Sequence, residues 1–452
     1  MTGVKAPVSD RLIGAAPVGR DHDRPSGDAG SFGAIAFAPR RVSEQPCSEF
    51  SANNAWNQNY NTSSPGAQSN NNNKNNNNRA RAVRRTDPPL ACNVTVEELF
   101  QAYYDCRTHK RNTANALIFE RRLERNLMDL HRDLCAGTYV PGRSICFAVL
   151  YPRPREVWAA DFRDRVVHHL IYNRVSERLH RRFIADNCAC IPGRGTLYAA
   201  NRVERHLRSA TQNWTQPKWV LQMDIANFFV SINKAILDGL LADHIDDAFT
   251  LHLSRTVLHN DPTRDPIYTG NPDHLKQIPP HKSLFNANGN GLPIGNLTSQ
   301  MEANLYLDPL DQYAKRVLKL RHYARYMDDI LIVGDSPAAL RDIADKLTAF
   351  ARDRLRLTFH PKKTHIQRAD QGVDFVGFII RPHARYLRRR TITRAHHQLR
   401  RRPENLPASI NSYFGLMRHA NAYRQRQRLG AKARLSGLNP NPALTKVTPC
   451  NT

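Results

Sequence analysis

Three aspartates carry the strongest chemistry this 452-residue sequence offers. Asp224 closes the apolar run WVLQM and precedes a turn, while Asp328 and Asp329 form a doublet between Tyr326-Met327 and the apolar stretch ILIV. Both settings read as strand ends, and a doublet flanked this way fits a tight hairpin that lifts at least one carboxylate to a sheet surface. Like charges set together against apolar strands are costly unless a cation joins them. Oxygen-only ligands select a hard cation, so two Mg²⁺ ions, with Mn²⁺ as a substitute, are the expected cofactors, a phosphate completing their coordination. Two such ions about 3.5 to 4 Å apart lower the pKa of an attacking 3′-hydroxyl and clamp a leaving pyrophosphate. Asp224 and Asp328 are assigned as metal bridges, Asp329 as the auxiliary carboxylate, with Ile225 beside Asp224 in the metal set. An ordinary acidic turn at Asp328-Asp329 is the alternative, and the further elements weigh against it.

Phe229, next to Phe228 just past Asp224, can stack beneath an incoming sugar and leave no space for a 2′-hydroxyl; one of the two rings is expected to be core. GNGLPIGNLTSQ at 289–300 joins a glycine-rich entry to a helix, with Thr298-Ser299 as capping residues and the amides of Asn296 and Gln300 available to a templating base pair. Lys363 in LTFHPKKTHI is placed to protonate or neutralise pyrophosphate; Lys362 is its rival, and an exposed lysine pair the simpler reading. Arg194 in the PGRG loop, and Arg155 or Arg163 upstream, are candidates for binding a triphosphate.

These residues need a scaffold. VEELFQAYYDCR and NALIFERRLERNLMDLHRDLCAG carry the three-and-four spacing of amphipathic helices, with Thr95 and Glu98 as a capping box and Gly137 as a stop. ICFAVLYP at 145–152 reads as a short strand. Residues 159–184 read as a long helix whose apolar face is Val166, Val167, Leu170 and Ile171. Strands are expected at WVLQMD, around YARYMDDILIVG and around VDFVGFII; 388–402 is a basic helix, and 410–429 another. Residues 1–90 hold a short apolar piece, FGAIAFA, then a stretch from Asn53 to Asn78 that is half Asn, then the basic RARAVRR, a solvated face or an RNA contact. Such a segment is expected to be disordered.

With 66 Lys and Arg against 40 Asp and Glu, the formal charge is +26, which makes nucleic acid the leading partner class and an anionic membrane surface the rival. No apolar run is long enough to span a bilayer and the first residues lack a secretion signal, so a cytoplasmic location with no membrane contact is expected. The eight cysteines show no zinc-ligand spacing and are read as free thiols.

From about residue 145 to 425 the order of motifs resembles the reverse-transcriptase superfamily. The Y-x-D-D box falls at Tyr326–Asp329, the first aspartate at Asp224, the aromatic gate at Phe229, the lysine motif at Lys363-Thr364, and VDFVGF resembles the primer-grip hairpin. The resemblance implies an α+β right-hand fold: N-terminal helices and fingers at 91–215, an antiparallel-sheet palm at 216–381, a basic helical thumb at 382–436, and a frayed tail at 437–452. Within the superfamily the chain is most similar to reverse transcriptases of diversity-generating retroelements. Intron and retroviral relatives carry Q-G-x-x-x-S-P where this chain has Ile294-Gly295-x-x-x-Ser299-Gln300; PREVWAADFRDRVVHHLI and SYFGLMRHAN also resemble that group. It implies a substrate set of template-repeat RNA, RNA/DNA hybrid and deoxynucleoside triphosphates, with Tyr326, Ile294, Gly295 and Gln300 among the substrate-binding residues and Ile294 and Gln300 beside the templating position. It also implies errors opposite adenine, a small basic oligomeric accessory protein, and a bacterial, archaeal or phage-infected cell.

Because Asn codons are adenine-rich, the start of the reading frame is read as overlapping, or descending from, the template repeat. Neither a zinc-and-histidine endonuclease nor an RNase H block is expected after the thumb, so nicking and template removal are expected from elsewhere. Retron, group II intron-like and phage-defence enzymes share the catalytic residues and remain the alternative; a non-catalytic RNA-binding scaffold is the remote one.

Overall fold

Thr95 opens the first helix, α1 (Val96–Arg107), by the reciprocal cap expected of it: its hydroxyl accepts from the Glu98 N–H while the Glu98 carboxylate accepts from the Thr95 N–H. The computed structural model describes residues 91–108, 113–150, 153–401, 406–435 and 437. The readings made for 1–90, including FGAIAFA, the Asn tract and RARAVRR, lie outside the described residues, as does nearly all of the 437–452 tail. Helices α2 (Ala114–Glu120) and α3 (Leu123–Cys135) follow, α3 ending where Gly137 takes a φ of 67°. Strands β1 (Ile145–Val149) and β2 (Arg155–Ala159) pair antiparallel and lead into α4 (Phe162–Arg182). The predicted apolar face of α4 is fully used: Val166, Val167, Leu170 and Ile171 are all buried.

The chain continues through α5 (Thr196–Ala210), β3 (Trp219–Asp224), the single turn α6 (Phe228–Ser231), α7 (Lys234–Ala242) and α8 (Ala248–His259). The short β4 (Ile267–Tyr268), parallel to β1, and α9 (Pro272–Lys276) precede α10 (Leu297–Gln312), which runs into a π-helical turn at Tyr313–Val317. Next come β5 (Tyr323–Tyr326), β6 (Asp329–Gly334), α11 (Pro337–Leu355) and β7 (His365–Arg368). Strands β5, β6, β3 and β7 form, in that order, an antiparallel sheet. Both of its faces are buried, with successive side chains alternating between them. Leu221, Met223, Ile330 and Ile332 join the large core that includes α4, α10 and α11, while Val220, Leu331 and Val333 pack with Val203 and Leu207 of α5. The edge of β5 is covered by residues 186–188, whose backbone bonds to Arg325.

A second antiparallel sheet joins β8 (Val373–Phe375), β9 (Phe378–Arg381) and β10 (Ala384–Leu387). Its first hairpin turns on Val376 and Gly377, both at positive φ, as a two-residue turn between twisted strands demands. The basic helix α12 (Arg389–Arg401) follows as expected. The single helix expected over 410–429 is instead two, α13 (Leu406–Met417) and α14 (Tyr423–Leu435). At the break the Asn421 N–H donates to the Arg385 carbonyl of β10, and the reversal lets Phe414, Met417 and Leu429 share one cluster.

The reading of eight free thiols is also corrected. Cys92 and Cys135 form a disulfide across a sequence separation of 43, because α1 and α3 pack together and bring their Cα atoms to 4.8 Å. Among the described residues no helix is long and apolar enough to cross a membrane.

One buried charge makes a testable statement about stability. Glu302 on α10 is buried with an unpartnered Oε1, and burial raises its pKa from 4.5 to about 8, against the weaker opposing pull of the Lys234 ammonium. Folding therefore takes up a proton between those two values: this contribution is complete below the unfolded-state pKa and is lost as pH rises through the folded one. Thermal melts taken from about pH 5 to about pH 9 should show falling stability, and Glu302→Gln should flatten that fall by an amount on the order of a few kcal/mol. A Gln variant with the same pH slope as the wild type would sink this assignment.

Candidate active site

The carboxylates meet because of strand register. Asp224 is the last residue of β3 and Asp329 the first of β6, and the antiparallel pairing sets them directly opposite each other. Asp328 sits in the two-residue turn Met327-Asp328 that joins β5 to β6, and its carbonyl accepts from the Ile225 N–H at 3.3 Å. Met327 takes a φ of 55°, a left-handed conformation that a non-glycine residue occupies only when its surroundings impose it. Behind Asp224, the His360 N–H donates to the Asp224 carbonyl at 2.7 Å, fixing the loop that carries Pro361–Lys363.

Three acids placed so closely resist losing all their protons. Burial, and next the neighbouring Asp224, push the Asp328 carboxyl from 3.8 to about 6. Asp329 is raised by the desolvating walls of the site and then by Asp328 and Asp224, even though its side chain reaches solvent; when protonated it shares a hydrogen bond with Asp224. The Lys363 ammonium donates to Asp224 Oδ1 and supplies the compensating charge from the chain itself. The structure thus brings Asp224, Asp328, Asp329 and Lys363 together. Ile225 is buried, its backbone bridging to Phe359 and donating to the Asp328 carbonyl.

The nucleotide-side candidates divide. Phe228 is buried core and Phe229 half-buried beside it, their rings edge to face at 5.5 Å. The Phe229 carbonyl accepts from the Leu292 N–H at 2.8 Å, which ties this turn to the 289–300 segment. There Gly295 has a φ of 133°, and a Cβ on it would lie 2.6 Å from the Trp158 carbonyl. The close approach is locked by the Trp158 N–H donating to the Ile294 carbonyl at 2.7 Å. Ile294 and Gln300 are half-buried, and so is Tyr326, whose hydroxyl pKa is raised chiefly by burial.

Thr298 and Ser299 do not cap α10: they lie inside its first turn, buried, with Asn296 at the N-cap position. The Asn296 amide oxygen accepts from the Ala160 N–H at 3.1 Å, so it serves the fold. Arg194 donates to the Ile184 and Asn187 carbonyls at 2.7 and 2.8 Å, and Arg163 pairs with Asp133 at 2.6 Å while lying over the Tyr139 ring. Arg194 braces the loop after α4 and Arg163 ties α4 to α3, whereas Arg155 is exposed on β2.

Sequence reading missed the polar residues beneath the turn. Arg325 and Asp311 are a fully buried ion pair, and Asp186 is held by Arg202, His206 and Lys315, which together with its hydrogen bonds keep its carboxyl well below the usual range despite burial. A signal existed: Arg325 alternates with Tyr323 on the core-facing side of β5, and Asp308 and Asp311 interrupt an apolar helix three residues apart.

The chain is similar to known proteins in part of its length. The reverse transcriptase (RNA-dependent DNA polymerase) family matches residues 153–380, about half of the chain. Protein YkfC of Escherichia coli (strain K12) is 23% identical over 315 residues, spanning 62% of this chain and 77% of that protein. A telomerase structure from Candida albicans, in complex with a fragment of telomeric RNA, aligns with a TM-score of 0.42 at 10% identity, over 66% of this chain and 55% of that one. This chain therefore spans little more than half the length of that telomerase chain. With the Asp224, Asp328 and Asp329 carboxylates gathered at one sheet end inside the matched region, the chain belongs to the reverse transcriptase family and is an RNA-directed DNA polymerase.

Proposed function

We propose that this chain copies a template-repeat RNA into error-prone cDNA as the polymerase of a diversity-generating retroelement. For the chemistry, the supporting observation is the register that opposes Asp224 and Asp329 with Asp328 in the adjoining turn. The donor set suits Mg²⁺. Among the described residues no three His, Cys, Asp or Glu side chains form a ready-made cage, and this ion is commonly held by one or two carboxylates with water and substrate phosphate. Two bound ions would supply activation of the primer 3′-hydroxyl and neutralisation of the leaving pyrophosphate. Asp224 and Asp328 would hold them, with Asp329 and the Ile225 carbonyl in support. Lys363 would leave Asp224 for the pyrophosphate, and Tyr326 would line the nucleotide. The four-stranded sheet is then the palm, the N-terminal helices with β1 and β2 the fingers, and α12–α14 the thumb.

The retroelement assignment is supported by Ile294-Gly295-x-x-x-Ser299-Gln300, a segment seated on Trp158 and tied to Phe229. A small basic oligomeric accessory protein would join the +26 chain on the RNA, in the cytoplasm. The deciding experiment sequences cDNA made on an adenine-rich RNA, with and without that accessory protein and with Asp328→Ala/Asp329→Ala as the blank. Mismatches clustered at template adenines support the assignment; faithful cDNA moves it to the retron, intron-like or phage-defence group; no cDNA under either condition points to a missing partner or to a scaffold.

Phe229 gives a second check. Phe229→Ala should raise incorporation of ribonucleotides relative to deoxynucleotides by about a hundredfold, as removal of a steric block of a few kcal/mol implies. Unchanged sugar selection in a competition assay would remove Phe229 from the gate.

A further inference from the structure

Arg325 is completely buried on β5, one residue before Tyr326. Its Nε and Nη2 donate to the two carboxylate oxygens of Asp311 on α10 at 2.8 and 2.6 Å, and Asp311 is equally buried. The Tyr323 hydroxyl adds a hydrogen bond to Asp311 at 2.7 Å. The remaining nitrogen, Nη1, donates to the Met327 carbonyl at 2.9 Å, with Asn304 Oδ1 at 3.3 Å. That carbonyl belongs to the residue with the left-handed φ, and its peptide leads directly into Asp328. The Arg325 backbone is pinned as well: its N–H donates to the Asp186 carbonyl and its own carbonyl accepts from the Cys188 N–H, each at 2.9 Å.

A buried ion pair is a weak source of stability, because desolvation offsets most of the attraction and an apolar pair of similar volume often serves as well. What an apolar pair cannot do is donate to the Met327 carbonyl. A lysine cannot do it either while keeping two bonds to Asp311, since only the planar guanidinium fork presents donors in both directions at once.

We propose that the buried Arg325–Asp311 pair is a positioning device that fixes the Met327 peptide and so sets Asp328 against Asp224. Asp311 orients the guanidinium, the guanidinium holds the carbonyl, and the carbonyl keeps the turn in its unfavourable conformation. The inference rests on the reading of Asp328 as a reacting carboxylate.

The test compares wild type, Arg325→Lys, the apolar double variant Arg325→Met/Asp311→Leu, and Asp328→Asn, all in the full chain. Melting temperature, kcat, KM for deoxynucleotide and half-saturating Mg²⁺ are measured for each. The double variant strips the Tyr323 hydroxyl and the Met327 carbonyl of these partners, so it should fold but melt lower than wild type; it should show a kcat lowered about tenfold to a hundredfold with KM nearly unchanged, and need more Mg²⁺. Arg325→Lys should show the same pattern more weakly. Wild-type kcat and Mg²⁺ dependence in a folded double variant would overturn the proposal and leave the pair as core filling. If the double variant does not fold, wild-type kcat in Arg325→Lys overturns it instead. An active Asp328→Asn enzyme would overturn the underlying role of Asp328, a result separable from the other two.

Discussion

Asp328→Asn should reduce primer extension by at least about a thousandfold while leaving the protein folded, and in metal-free buffer it should melt higher than wild type. The activity loss follows from removing one carboxylate of the opposed set, since metal-borne charge stabilisation of the transition state is worth several kcal/mol and each 1.36 kcal/mol is about tenfold. The stability gain follows from the same geometry with the opposite sign. Without a cation, Asp328 is pushed up to about 6 by burial and Asp224, so near neutral pH the folded state carries a charge it disfavours. For an acid with a raised folded-state pKa, the stability contribution is present below the unfolded value and is lost as pH climbs through the folded one. Asn removes that penalty, a gain on the order of 1 kcal/mol or a few degrees of melting temperature. Added Mg²⁺ should then stabilise the wild type more than the variant, because an ion that binds only the folded state shifts its melting by mass action. Calorimetry with and without Mg²⁺, beside a primer-extension assay, reads both effects. An Asn variant that extends primers at the wild-type rate would end the assignment of Asp328.

Gly295→Ala should destabilise the protein by about 2–4 kcal/mol and raise KM for the nucleotide. Two costs combine. A φ of 133° lies where only glycine is at ease, and the new methyl would meet the Trp158 carbonyl at 2.6 Å, where backbone must move. Moving the loop off the Trp158 carbonyl stretches the 2.7 Å bond from the Trp158 N–H to the Ile294 carbonyl. That displaces the segment linked to Phe229 through Leu292. Gly289→Ala is the matched control, since Gly289 also has positive φ, 78°, but nothing stands within 4 Å of its Cβ position. Denaturant titration of both variants separates strain from contact. Equal, small losses in the two would show that the approach to Trp158 carries no energy.

The features that could be read along the chain are those whose partners lie within a few residues. The Thr95–Glu98 cap, the stop at Gly137, the buried face of α4 and the alternating strands are set by backbone geometry repeating every few positions, so periodicity reports them. The three aspartates were legible by type, because acids at the ends of apolar strands have few structural uses. The wrong or missed readings all involve partners distant in sequence. Thr298 and Ser299 have the composition of caps, yet packing against α4 draws them into the core, where His168 bonds Thr298 at 2.8 Å. For Arg194 and Arg163 the sequence showed the chemistry and missed the carbonyls and carboxylate they bond, which the fold places. The Cys92–Cys135 disulfide depends on α1 meeting α3, and the break before α14 on β10 offering a carbonyl. The sequence by itself determined which residues could do chemistry and which elements carry them. Only the tertiary structure decided that Asp224 faces Asp329, that Lys363 answers Asp224, and that Arg325 reaches Met327, because the register between strands and the packing of helices are set by side chains far apart along the chain.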